Sequence, residues 1–219
     1  MDRTEQKQFA VVDWGMGNVG SVTNALERIG CSARVTKDPA ILHASDGIIL
    51  PGVGAFKTAM QHLEKDRLVE VLRGEILENK KPFLGICLGM QVLGARSEED
   101  GDHEGLNWLA GSVKRLTAQE EGLRLPHMGW NDIAVTQDSP LFEGIRPERI
   151  FYFVHSYHLI CDPAHVLATC RYGETFAAVI QKENIVGTQF HPERSHTSGL
   201  QFLKNFVMGA LQDEKVTAC

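Results

Sequence analysis

Apolar residues in this chain gather first in short unbroken runs and later in alternating ones. FAVVD, GIIL and PFLGI are continuous apolar stretches of strand length, as strands buried on both faces produce. Between them the period lengthens. In SVTNALERIG the apolar positions Val22, Leu26 and Ile29 recur at helical spacing, and Gly30 is the stop signal. A short strand follows around Ala33-Arg34-Val35, helical periodicity runs from about Phe56 to Leu77, and another helix begins at about Leu88, after PFLGI. Alternating strands and helices predict a parallel sheet covered on both faces. In the second half SVKRL, NDIAV, RIFYFV, VLATCRY, FAAVIQ and IVGTQF read as strands with polar turns between them, and a last helix runs from about Ser198 to Leu211. The expected architecture is a three-layer, flavodoxin-like α/β fold, its mostly parallel sheet flanked by helices and extended by antiparallel strands. Residues 1–219 read as a single domain, with 1–7 a disordered polar tail.

Charge and composition narrow the partners. Net charge is −6 and Lys/Arg residues are not clustered, which argues against nucleic acid. No apolar run reaches membrane-spanning length, and the start, MDRTEQKQ, lacks the apolar segment of a signal peptide. Five cysteines without C-x-x-C pairing point to a reducing, cytoplasmic setting. Cys31, Cys161 and Cys170 read as small buried apolar residues and Cys219 as part of a loose terminus. The acidic stretch Ser97 to Gly105 reads as a solvated loop, and His103 within it does not make a metal site.

Two segments carry chemistry by pattern. The first is ambiguous. Gly15-x-Gly17-x-x-Gly20 with Asp38 beyond it has the spacing of a dinucleotide-binding unit and would suit a nucleotide-dependent oxidoreductase. Asp13 and Trp14 stand between the strand and the first glycine, however, and a carboxylate there repels a pyrophosphate. The second is Gly85-Ile86-Cys87-Leu88-Gly89, where a buried strand meets a helix. This is the nucleophile-elbow pattern with Cys in place of Ser. A sulfur beside a helix N-terminus is favoured as thiolate. The nucleophile needs a base and the base an orienting acid. His191 ends a strand and Glu193 follows two residues on, the same side of an extended chain. Cys87, His191 and Glu193 thus compose a triad in chain order.

GICLGMQ with HPE resembles the class I, triad-type glutamine amidotransferases. DWGMGN, LPGVGAF, PHMGWN, YFVHSYH, YGETFAA and QFHPERS narrow the resemblance to those that serve as glutaminase subunits of imidazole glycerol phosphate synthase, from about Phe9 to Met208. In that family Gly20 is not a fixed position, so the dinucleotide spacing is an accident. The resemblance implies that Cys87 attacks the side-chain amide of L-glutamine, that His191 is the base and Glu193 its orienting partner, and that no metal or organic cofactor is needed. It implies an oxyanion hole from the Leu88 and Val53 backbone N–H groups, and glutamine contacts from Gly52, Gln91, Ser156 and Tyr157. A (β/α)8-barrel cyclase would form the heterodimer and use the ammonia to make imidazole glycerol phosphate and AICAR in histidine biosynthesis. The docking surface would include Asn18, together with Met128, Trp130 and Asn131 in a turn-like segment, and Arg194, which stands where the family usually has Lys. A paralogue feeding another amidotransferase, such as one that amidinates surface sugars, is the alternative.

Overall fold

The structure, a computed structural model, describes residues 7–117 and 122–209. Most of the tail expected at 1–7, Cys219 and the last residues of the helix expected to reach Leu211 lie outside them. The centre is an eight-stranded sheet. Strand β1 (Gln8–Val12) is flanked by β2 (Ser32–Thr36) and β3 (Gly47–Gly52), and β4 (Phe83–Cys87) lies between β3 and β14 (Ile185–Thr188), all parallel. The antiparallel extension expected from the second half follows, through β13 (Glu174–Lys182), β12 (Val166–Tyr172) and β9 (Ala134–Val135).

Strand period sorts the core into two layers. From β1, Phe9 and Val11 point to a cluster containing Leu26 of helix α1 (Val19–Arg28) and Phe202 of helix α6 (His196–Gly209), while Ala10 and Val12 point to the opposite one with Leu63 of helix α3 (Phe56–Lys65). Asn18 caps α1, its side chain accepting the Ser21 N–H at 3.1 Å, a contact generally worth about 1 kcal/mol.

Several expectations are corrected. Helix Phe56 to Leu77 is broken: α3 stops before Arg67, which sits at φ +55°, and α4 (Leu68–Arg73) gives way to a π turn at Gly74–Glu78. Apolar spacing alone cannot register a left-handed residue. A short helix α2 (Pro39–Ala44), unpredicted, explains Asp38, whose carboxylate caps it through the Ala40 N–H. The helix at Leu88 is only α5 (Leu88–Gln91). The acidic loop carries β5 (Arg96–Ser97) and β6 (His103–Glu104), which join β7 (Gly111–Arg115) and β11 (Tyr157–Cys161) in a second sheet. PHMGWN is no turn: it forms β8 (His127–Asp132), antiparallel to β10 (Ile150–His155).

Candidate active site

Cys87 is the last residue of β4 and adopts φ +54°, ψ −107°. For a non-glycine residue this conformation generally costs about 1–3 kcal/mol and persists only where the surroundings impose it. The elbow glycines do so. A Cβ on Gly85 would lie 2.5 Å from the Gly89 carbonyl oxygen, and one on Gly89 would lie 1.9 Å from that of Leu50. Strand β3, the elbow and α5 therefore close to a distance that side chains forbid. Gly52 belongs to this packing: its Cβ would meet Gly89 N at 2.8 Å, so it backs the elbow.

His191 lies just beyond β14, and its Nδ1–H donates to Glu193 Oε1 at 2.8 Å, both side chains buried. The pairing is the expected one, but the local reason differs. Pro192–Arg194 is a 3-10 turn, not extended chain, and the turn carries the carboxylate back under the ring. Burial disfavours the imidazolium, yet Cys87 and Glu193 outweigh it and hold the His191 proton well above the usual histidine range. Nε2 of His191 is buried with no hydrogen-bond partner, which leaves one nitrogen for chemistry. A contact unmarked in the sequence is Gln189, fully buried, whose Nε2 donates to Cys87 Sγ at 3.6 Å.

The turn after β3 departs from expectation at Val53. Its N–H donates to the Met16 carbonyl at 2.8 Å, and two residues back the Pro51 carbonyl accepts the Trp14 Nε1–H at 2.6 Å. The GMGN turn thus clamps this loop, and the Val53 donor is committed away from the sulfur. Gly17 is needed here because a Cβ would sit 2.7 Å from the Pro51 oxygen. That close approach is the structural use of Gly17, the middle glycine of the apparent dinucleotide fingerprint.

Cys87 opens onto a cavity of about 340 Å³ whose lining includes Val53, Leu88, Gln91, Ser156, Tyr157 and Glu99. Gln91 Nε2 donates to Tyr157 O at 2.8 Å and to Gln189 Oε1 at 3.2 Å. Glu99 was not foreseen, since nothing distinguishes it within an acidic run. It caps α3 through the Phe56 N–H at 2.7 Å and is the acidic residue of the lining, its pKa raised chiefly by burial. Among the described residues no cluster of three or more His, Cys, Asp or Glu could hold a metal ion, and no helix is long and apolar enough to cross a membrane.

Beside the site lies an exposed aromatic face. Met128 and Trp130 are 62% and 47% exposed. Trp130 stacks on His196 with ring centres 4.7 Å apart, and the Arg194 guanidinium lies 4.5 Å over Tyr152. Arg194 adjoins the Glu193 carboxylate in sequence, so this face and the triad share one turn. Asn131 is half-buried on the same strand, and Asn18 stays at its helix cap.

Comparison with known proteins agrees with this geometry. The family described as Glutamine amidotransferase class-I matches residues 10–210. The chain is 47% identical over 203 residues to the imidazole glycerol phosphate synthase subunit HisH of Syntrophotalea carbinolica, covering 90% of this chain and 98% of that protein. It is 48% identical over 201 residues to the HisH subunit of Moorella thermoacetica, covering 91% and 94% respectively. The solved structure of a putative GMP synthase protein from Thermoplasma acidophilum superposes with a TM-score of 0.74 at 20% identity, over 98% of this chain and 99% of that one. PurLQS from Thermotoga maritima gives 0.69 at 18%, over 95% and 99%. At such identities these two structures speak to the fold alone.

Proposed function

The chain belongs to the class-I glutamine amidotransferase family, and we propose that it is the glutaminase subunit of an imidazole glycerol phosphate synthase, hydrolysing L-glutamine to L-glutamate and ammonia. The observation that carries this reading is Cys87 held at its elbow with His191 and Glu193 coupled to it over the cavity. Cys87 Sγ attacks the side-chain carboxamide carbon, and the carbonyl π electrons move to oxygen. Collapse expels the amine, protonated by His191, as ammonia, and leaves a thioester. His191 then draws a proton from water, which attacks the thioester and returns the thiol and glutamate. Glu193 balances the imidazolium at each stage. Glu99 supplies negative charge for the α-ammonium of glutamine. The Ser156–Tyr157 backbone receives the remaining α-group, and Gln91 turns its Oε1 to the carboxamide.

Oxyanion stabilisation needs paired donors, and loss of one generally lowers the rate about 10²–10³-fold. Leu88 follows the nucleophile directly, whereas Val53 has its N–H on Met16. The Val53 peptide therefore must rotate, and Gly54, at φ +110°, gives it the freedom. A glutaminase with no acceptor site of its own gains from this restraint, because free ammonia is protonated in water and lost as a nucleophile. The partner is a (β/α)8-barrel cyclase, docked on the Met128–Trp130–Arg194 face in a cytoplasmic heterodimer.

Steady-state glutamate release tests this reading. The chain alone is expected to turn over slowly, and the cyclase with its nucleotide ligand to accelerate it by about 10²–10³ or more. Trp130→Ala or Arg194→Glu weakens that acceleration while sparing Cys87 labelling. Equal rates with and without cyclase reject the gating. Failure to form a complex with a histidine-pathway cyclase assigns the chain to a paralogous pathway.

A further inference from the structure

We propose that His127 and His155 are positioning residues: a one-way hydrogen-bond relay through their rings joins Asn131, on the aromatic face, to the Tyr157 carbonyl at the glutamine cavity. The inference rests on the reading that the Ser156–Tyr157 backbone receives glutamine.

The direction of every bond follows from chemistry. A carbonyl oxygen only accepts, so His155 Nδ1, 2.9 Å from Tyr157 O, carries a hydrogen. Burial keeps His155 neutral, its pKa pushed down to about 3, and His127 likewise, at about 4. The hydrogen bond to Tyr157 acts in the opposite direction but does not overcome burial, and any positive charge on His127, His158 or His191 would push His155 lower still. In a neutral ring the second nitrogen is an acceptor. His155 Nε2 therefore takes a hydrogen from His127 Nδ1, 3.1 Å away. His127 Nε2 is then an acceptor in turn, and Asn131 Nδ2–H supplies it at 3.3 Å. The Asn131 amide is oriented independently, since its Nδ2 also donates to the Arg171 carbonyl at 3.1 Å and its Oδ1 accepts the Asp132 N–H at 3.0 Å. No bond in the series reverses alone.

His127 is stacked between Tyr172 and Phe153, with ring centres 4.1 Å and 4.9 Å away. Along β8, Gly129 stands between His127 and Asn131 at φ +138°, a conformation that favours glycine. At the far end Tyr157 O also accepts Gln91 Nε2–H, so both lone pairs of that carbonyl are used. Gln91 continues to Gln189, and Gln189 to the Cys87 sulfur. The directed bonds from the surface thus end on the Tyr157 carbonyl oxygen, and Gln91 donates both to that oxygen and, through Gln189, toward the nucleophile. Movement of Asn131 reaches the glutamine-receiving backbone through them.

Two amides at position 155 separate hydrogen bonding from packing. His155→Asn places an N–H near the site of Nδ1 and keeps the bond to Tyr157 O, although it leaves the larger gap. His155→Gln fills the space better and places its amide near the site of Nε2. The assay is labelling of Cys87 in the full-length chain by a diazo-ketone analogue of glutamine, which needs the α-group contacts, alongside iodoacetamide, which does not. His155→Gln is expected to raise the half-saturating analogue concentration about tenfold, the scale of one lost hydrogen bond, with the iodoacetamide rate unchanged, and Asn to restore most of the affinity. Asn131→Asp, which keeps both rings and offers His127 an acceptor in place of a donor, is expected to weaken the analogue similarly. Asn as poor as Gln or poorer, unaltered saturation in both, or an unaffected Asn131→Asp overturns the relay. Wild-type chain that the analogue does not label saturably overturns the glutaminase reading instead.

Discussion

Cys87→Ala is expected to abolish glutamine hydrolysis, with a loss on the order of 10⁶ in turnover, the scale on which nucleophile removal acts in a triad enzyme. The fold should survive, because the backbone constraint at the elbow is imposed by the close approach of Gly85 to Gly89 and of Gly89 to Leu50. A diazo-ketone analogue of glutamine is expected to label Cys87 in preference to the other described thiols. Burial pushes Cys31 and Cys161 up to about 11 and Cys170 to about 12, so at neutral pH they are almost wholly protonated. Peptide mapping after labelling decides the matter. Modification spread over Cys31, Cys161 and Cys170, or turnover retained in the alanine variant, removes Cys87 from the mechanism.

Glu193→Gln is expected to lower turnover by about 10³–10⁴ with little change in glutamine KM, as loss of the orienting acid does in comparable triads. The amide can still accept the Nδ1–H of His191, so the ring stays in place. What disappears is the negative charge. The carboxylate is one of the causes that hold the His191 proton above its ordinary value, and without it the imidazolium is less favoured beside Cys87. A raised folded-state pKa also stabilises the fold, fully below the unfolded histidine value of about 6.5, and this contribution is lost as pH rises through the elevated pKa. The difference in thermal stability between wild type and variant should therefore shrink with rising alkalinity. Unchanged turnover would reduce Glu193 to a structural carboxylate.

Local patterns with strict steric consequences were legible in the sequence. Two glycines flanking a cysteine at a strand end admit few other geometries, and the buried apolar runs announce β1, β3 and β4. The triad pairing was legible as well, although through a turn and not the extended chain that spacing suggested. Contacts between distant segments were not. The bond from Val53 to Met16 joins two loops far apart in the chain, and no local pattern reports which way a peptide N–H faces. Glu99 is chemically indistinguishable from its acidic neighbours until the second sheet brings it to the cavity. The tautomers of His127 and His155 depend on partners from three strands, so the sequence displays the rings without their polarity.

The flat stack of Trp130 on His196 has an optical consequence. The chain has three tryptophans, and Trp14 and Trp108 are shut in the core at 1% and 5% exposure. Their emission is expected to lie to the blue and to respond little to what happens outside. Trp130 is expected to supply the red edge of the spectrum, and an imidazole lying parallel at 4.7 Å is well placed to quench its excited indole. Anything that settles on this face dries the indole or slides the histidine off it, and either event changes red-edge emission while the blue edge serves as an internal standard. The protein thus carries an unlabelled fluorescent gauge of this exposed aromatic face, one turn from His191 and Glu193.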